Sequence, residues 1–134
     1  MQLQPYLFFT GECEEALNFY RSVFGGEITG INRYAGSPME QQAPPGWGQK
    51  IIHATFTSGG VSLMAADSSA AQPGANNAKA RLAIGAADHD EGQCLFDGLA
   101  AGGTVTMPYA KQFWGASFGM LTDRFGIEWM INAG

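Results

Sequence analysis

The chain has 134 residues, of which 46% are hydrophobic and 14% are charged, and its net charge is −5. This composition predicts one globular domain with a proper core and argues against a disordered chain. Lysine and arginine are scattered singly along the sequence. Because no basic stripe is available to neutralise phosphates, nucleic acid is not an expected partner.

Neither targeting signals nor a disulfide framework is apparent in the sequence. Residues 1–5 lack the basic segment of a signal peptide, and no apolar run approaches membrane length. We therefore expect a cytoplasmic protein with no membrane partner. Two cysteines, Cys13 and Cys94, do not make a disulfide framework, and we expect both to be reduced.

The first half of the chain predicts a strand, a helix and three more strands. Residues 6–9 form a short apolar run, and apolar residues then recur at helical spacing up to Gly25-Gly26. Thr10 is a possible cap for this helix. The three further strands are predicted at 28–34, 51–57 and 61–66, the last two as a hairpin.

A long irregular segment, residues 35–49, separates two of these strands. It is rich in Pro, Gly and polar residues and contains Trp47. A loop of this length is either a lid over a site or a connector, and the sequence leaves both interpretations open.

The second half of the chain repeats the order of elements in the first. After a linker-like segment at 68–79, the elements are a strand at 81–87, a helix at 89–101, a strand at 104–106 and a hairpin of strands at 117–122 and 127–131. A shift of about 77 positions superposes Phe19 on Phe96. The pattern predicts a tandem duplication: module one at 1–67, the linker at 68–79 and module two at 80–134.

The last predicted strand has two chemically different faces. Ile127, Trp129 and Ile131 alternate with Glu128 and Met130. A period of two sends these sets to opposite faces of a sheet. We expect the apolar set to pack against a helix, which leaves Glu128 and Met130 on the face where function is sought.

Several motifs together resemble the PhnB-like branch of the glyoxalase/bleomycin-resistance/dioxygenase superfamily, also called vicinal oxygen chelate proteins. The motifs are Glu-Glu-Ala-Leu-x-Phe-Tyr at 14–20, Val-Phe-Gly-Gly at 23–26, Phe-Trp-Gly at 113–115, and Thr-Asp-x-Phe-Gly-Ile-x-Trp-Met-Ile-Asn at 122–132. The resemblance implies an α+β fold of two tandem βαβββ modules, with sheets curled around a cavity and helices outside. It also implies a homodimer.

The same resemblance implies a metal site, which this sequence does not reproduce. Enzymes of the superfamily bind a divalent metal through His, Glu or Gln side chains on the first and last strands of each module. Counting from the motifs leads to Pro5, Met64, Arg81 and Met130. Proline has no donor, arginine is a cation and thioethers are soft ligands. We therefore expect no metal and no other cofactor.

Three side chains that could bind a ligand or transfer a proton lie on strands that the resemblance places around the cavity. His53 is either a ligand-binding or acid–base imidazole, or a structural histidine held by hydrogen bonds. Arg81 and Glu128 either bind an anionic ligand or simply pair with each other. Both pairs of alternatives stay open in the sequence.

Aromatic and thioether side chains supply apolar surface for a candidate ligand site. Trp114, Phe113, Trp47 and Tyr109 are expected near the cavity mouth, although Trp114 can equally seal the core. Met64 and Met130, at the former ligand positions, complete the candidate ligand-binding set.

These residues are compatible with two functions. The first is a metal-free small-molecule-binding protein whose ligand is aromatic or anionic. The alternative is a glyoxalase-like lyase or isomerase, or a dioxygenase-type enzyme, that uses a divalent metal or acid–base chemistry at His53 and Glu128. The poor metal donors favour the binding protein.

Overall fold

The computed structural model describes residues 3–68 and 80–133. The chain divides into two compact units, Met1–Ala75 and Asn76–Gly134. Of the predicted linker at 68–79, only Ser68 lies within the described residues. Within the described ranges, none of the helices is long and apolar enough to span a bilayer.

Unit one contains a four-stranded sheet with one helix against it. Its elements are β1 (Tyr6–Phe9), α1 (Cys13–Phe24), β2 (Glu27–Arg33), a short 3-10 helix (Glu40–Gln42), β3 (Ile51–Ser58) and β4 (Val61–Asp67). The strand order is β1-β4-β3-β2. β1 runs parallel to β4, and the other neighbours are antiparallel. The helix contacts β2, β3 and β4.

Unit two repeats this topology. Its elements are β5 (Leu82–Ala86), α2 (His89–Ala100), β6 (Thr104–Lys111), β7 (Ser117–Thr122) and β8 (Glu128–Ala133). The strand order is β5-β8-β7-β6, with β5 parallel to β8. The prediction of two tandem βαβββ modules is therefore confirmed. Arg81 precedes β5 instead of lying in it, and β6 extends well past the predicted strand at 104–106.

Each unit buries its core between the helix and one face of its sheet. In unit one, α1 contributes Ala16, Leu17 and Tyr20, and the sheet contributes Leu7, Phe9, Ala54, Phe56, Leu63 and Ala65. In unit two, the large buried side chains include Phe96, Leu99, Tyr109, Leu121, Trp129 and Ile131. Removal of these side chains from water is the main stabilising contribution to each unit.

The faces of the last strand agree with the sequence alternation at Trp129 and Ile131, whereas Ile127 precedes β8 and is partly exposed. Trp129 and Ile131 are buried, whereas Glu128 and Met130 are partly exposed. The turn before this strand, at residues 123–126, ends with Gly126 at φ 88°. Asp123 organises the turn, since its Oδ1 accepts from the backbone N–H groups of Phe125 and Ile127.

The start of α1 is a correction to the sequence prediction. Thr10 does not cap the helix: the N-cap residue is Glu12, which has no side-chain capping bond. Instead, Oδ1 of Asp67 accepts from the N–H groups of Gly11 and Cys13 at 2.8 and 2.9 Å, and its Oδ2 accepts from Ile51 N at 3.0 Å. Because Asp67 pairs with Phe9 across the sheet, its carboxylate reaches the turn that begins the helix.

Candidate functional site

The sheet of unit one has a helix-distal face, opposite α1, that carries aromatic and polar side chains. Leu7 and Phe9 are buried, whereas Tyr6 and Phe8 alternate with them and are 39% and 59% exposed. Met64 pairs with both Tyr6 and Thr55, so these three share that face. The fold therefore presents large apolar side chains on both faces of β1.

Tyr6, Phe8 and His53 form an aromatic cluster on this face. The rings of Tyr6 and Phe8 stack with centroids 4.7 Å apart and an interplanar angle of 10°. The Tyr6 hydroxyl lies 3.1 Å from Nδ1 of His53, and the two rings are tilted by 56°. Two stacked rings beside an imidazole make a platform suited to a flat apolar molecule.

The hydroxyl of Tyr6 is protonated at neutral pH. Burial raises the pKa of Tyr6, and the nearby Cys13 and Tyr34 raise it further. The Tyr6 hydroxyl is therefore available as a donor to Nδ1 of His53, and in that tautomer the proton of the neutral imidazole lies on Nε2. Among the described residues, Nε2 has no hydrogen-bond partner. That N–H is then free to donate to a ligand.

The sheet of unit two also has a helix-distal face, and it carries an ion pair. Arg81 Nε lies 3.4 Å from Oε2 of Glu128, with side chains 44% and 28% exposed. The structure thus brings together the two charged residues singled out in the sequence. Because Arg81 is nearly half exposed, its guanidinium retains donors for an anion while it is paired.

Thioether and aromatic side chains continue this face away from the ion pair. Met130 pairs with Met120 across the sheet, and Asn132 pairs with Phe118. Trp114 is 55% exposed and makes edge contacts with Phe118 at 6.5 Å and with Phe113 at 5.0 Å. Trp114 therefore does not seal the core.

Trp47 and Tyr109, two of the aromatic residues expected near a cavity mouth, contact other side chains of their own units. Trp47 makes an edge contact with Tyr34, and its ring is close to Gly11, at the end of the sheet where α1 begins. Tyr109 is 8% exposed and packs against Phe96 of α2. Tyr109 is next to Ala110, which pairs with Phe118 on the helix-distal face, so the Tyr109 ring lies on the helix side and is not exposed as expected.

Neither the positions nor the donor atoms fit the divalent metal site that the superfamily implies. Tyr6, not Pro5, pairs with Met64, and Ala83, not Arg81, pairs with Met130. These four residues offer two thioethers, a protonated phenol and a methyl group, which suit no hard divalent cation. In residues 3–68 and 80–133, no group of three His, Cys, Asp or Glu side chains is placed to hold a metal.

Comparisons with known proteins identify the family. The profile of the Glyoxalase/Bleomycin resistance protein/Dioxygenase superfamily matches residues 2–131. The chain belongs to this superfamily. It is 33% identical over 142 residues to Protein YjdN of Escherichia coli K12, with 98% of this chain and 95% of YjdN covered.

Solved structures support the same assignment. Protein PA1353 of Pseudomonas aeruginosa has a TM-score of 0.85 and 39% identity, covering 99% of this chain and 97% of PA1353. The PhnB protein of Bacillus cereus, provisionally named a 3-demethylubiquinone-9 3-methyltransferase, has a TM-score of 0.81 and 31% identity, with both chains fully covered. These relatives place the chain in the PhnB-like branch.

The residues that sequence reasoning missed are Tyr6 and Phe8. They lie in Tyr-Leu-Phe-Phe, which is apolar throughout, so it shows no alternation to separate the two faces of the strand. The polar residue of the cluster, His53, is a candidate site residue from the sequence alone. In the sequence, the signal that both faces of β1 are apolar is that no polar residue alternates with the apolar ones in residues 6–9.

Proposed function

We propose that this protein binds a flat aromatic small molecule, without a metal, on the helix-distal face of unit one. The observation that supports the proposal is the stacked and exposed pair of Tyr6 and Phe8 beside His53. Exposed aromatic surface of this kind is a liability in a protein that does not use it.

Each residue of the cluster has a separate role in the proposal. The Phe8 ring supplies apolar area, and its stacking with Tyr6 fixes both ring planes before a ligand arrives. Tyr6 orients the imidazole of His53 through the 3.1 Å contact to Nδ1. The Nε2–H of His53 then donates to a carbonyl, hydroxyl or carboxylate on the ligand.

A second candidate contact, for an anionic ligand, lies in unit two. The Arg81 side chain is 44% exposed, and its Nε lies 3.4 Å from Oε2 of Glu128. Arginine binds carboxylates through two parallel hydrogen bonds, which makes it a natural anion contact. This contact belongs to unit two, and it is proposed independently of the aromatic cluster in unit one.

An anionic aromatic dye provides a direct test. Anilinonaphthalene sulfonate gains fluorescence when it enters an apolar site, and we expect saturable binding to the native protein. Phe8→Ala should weaken the affinity roughly fivefold, because a lost aromatic contact is worth about 1 kcal/mol. Phe113→Ala is the matched control, since Phe113 is 97% exposed and belongs to neither the Tyr6–Phe8–His53 cluster nor the ion pair.

Two further dye-binding measurements distinguish the contribution of the Tyr6 hydroxyl from that of the Phe8 ring and test for a metal. Tyr6→Phe keeps the stacked ring but removes the hydroxyl that holds His53, so it should weaken binding less than Phe8→Ala. Chelator treatment should leave binding unchanged. Equal affinity in wild type and Phe8→Ala would overturn the proposal.

Acid–base catalysis remains the second candidate, and the Tyr6–His53 contact is the observation that favours it. A histidine whose Nδ1 is in hydrogen-bond contact with a phenol is suited to proton transfer. Glu128, the other residue of this hypothesis, is engaged by Arg81. Turnover of a bound aromatic compound that is lost in His53→Gln, with binding retained, would establish catalysis.

A further inference from the structure

Three methionines form a row across the sheet of unit two. Met107 of β6 pairs with Met120 of β7, and Met120 pairs with Met130 of β8. Met120 and Met130 alternate with the buried Leu121 and Trp129, so they point away from α2. Directly paired residues share a face of the sheet, which puts Met107 beside them. The chain has six methionines, and half of them lie in this row.

The spacing of this row allows the three sulfur atoms to converge. Directly opposite residues on antiparallel strands have Cβ atoms roughly 5 Å apart. Methionine has three rotatable bonds beyond the backbone and a polarisable sulfur, so its end group adjusts its position at low energetic cost. All three side chains are partly exposed, and none is locked inside the core.

The surroundings of the row disfavour hard cations and leave the thioethers as the available donors. The nearest carboxylate along β8, Glu128, is already paired with Arg81. Asn132, on the other side of Met130, offers one amide. A doubly charged cation would therefore meet a guanidinium and soft sulfur atoms, which is a poor match.

We propose that Met107, Met120 and Met130 bind one soft monovalent cation of the Cu(I) class. Thioether sulfur selects Cu(I) over divalent first-row metals because both partners are soft. A low-charge ion also tolerates the neighbouring Arg81 better than a dication does. The site is independent of the aromatic cluster in unit one, so either proposal can fail without the other.

Silver(I) is the redox-inert probe for this site. The exposed thiol of Cys94 would capture silver first, so the experiment uses the Cys94→Ser protein. Cys13 is fully buried, which keeps its thiol out of contact with the probe. The protein is labelled with 13C at the methionine methyl groups, and silver is added up to one equivalent.

The expected result is a saturating shift of the Met107, Met120 and Met130 methyl signals. Met39 is the internal control, because it is 46% exposed and lies outside the row. Met120→Leu removes the central sulfur at nearly constant volume and should weaken silver binding by at least roughly tenfold, whereas Met39→Leu should leave it unchanged. Zn(II) should shift none of the three signals.

Two outcomes would overturn the proposal. Absence of any shift of the three signals at one equivalent of silver would show that the row is apolar surface only. An equal shift of Met39, or unchanged affinity in Met120→Leu, would show that silver binds single exposed thioethers adventitiously.

Discussion

At the scale of residues, two buried aspartates organise the ends of strands. Asp67 accepts three backbone N–H groups, and Asp123 accepts two backbone N–H groups and the indole Nε1–H of Trp129 at 2.9 Å. Both carboxylates are almost fully buried. A buried carboxylate is tolerated only when its hydrogen bonds are made, and here they fix the start of α1 and the turn before β8.

Replacing Asp67 by alanine is expected to destabilise unit one. The substitution leaves the buried N–H groups of Cys13 and Ile51 without their acceptor, and each such group costs about 1–3 kcal/mol. We expect a loss of about 3 kcal/mol in the free energy of unfolding, measured by urea titration. Asp97→Ala on the exposed side of α2 is the control and should change stability by less than about 0.5 kcal/mol. A small effect of Asp67→Ala would contradict the capping role.

The two cysteines should differ sharply in reactivity. Cys13 is fully buried, and desolvation, followed by Asp67, Glu14 and Glu12, raises its pKa to about 12, whereas Cys94 is exposed. At neutral pH, a thiol reagent should modify Cys94 quickly and Cys13 only when the protein unfolds. Cys94→Ser should abolish the fast phase; a fast phase that persists would contradict the burial of Cys13.

Because the pKa of Cys13 is raised in the folded state, the free energy of unfolding should depend on pH. The unfolded thiol loses its proton near pH 9, whereas the folded thiol keeps it until about 12. Stability from this group is therefore full below pH 9 and is lost as the pH rises toward 12. The free energy of unfolding in wild type should fall more steeply over this range than in Cys13→Ala.

At the scale of elements, the buried face of a strand could be predicted where apolar and polar residues alternate along it. In β8, large apolar residues alternate with Glu128 and Met130, and the predicted faces are confirmed. In β1 every residue is apolar, and only the pairing with β4 separates Leu7 and Phe9 from Tyr6 and Phe8. The bulges in β6 are equally invisible in sequence, because an extra residue in one strand changes no residue type.

The turn at residues 123–126 depends on a glycine for its backbone conformation. Gly126 has φ 88°, and an added Cβ would meet no other atom within 4 Å, so the strain of a side chain would be purely conformational. Gly126→Ala should cost about 1–2 kcal/mol and lower the melting temperature. Gly60→Ala, at the β3–β4 turn and also in open space but without a positive φ, should be nearly neutral. Equal effects would show that the turn is not under this constraint.

At the scale of the whole molecule, the repeated topology was predictable because its signals are redundant. Two glycine pairs, two helices and two hairpins recur in the same order, and both sheets have the predicted strands as neighbours. The site was less predictable, since it depends on register: a one-residue change replaces Pro5 by Tyr6 opposite Met64. Counting residues from a motif cannot resolve such a difference.

We propose in addition that the protein is a homodimer. Each sheet has two outer strands, β1 and β2 in one unit and β5 and β6 in the other. Helix α2 buries only Gly92, Phe96 and Leu99, which leaves much of its surface outside the core of its own unit. Light scattering at micromolar concentration should give twice the monomer mass of 14.2 kDa, and the monomer mass would contradict the proposal.

The central claim is that the Tyr6–Phe8–His53 face holds an aromatic small molecule without a metal. Native mass spectrometry of protein purified from its own host tests it most directly. We expect an added organic mass that survives chelator treatment and is lost in Phe8→Ala but kept in Phe113→Ala. A stoichiometric divalent metal, removed by chelator and present with no organic mass, would contradict it.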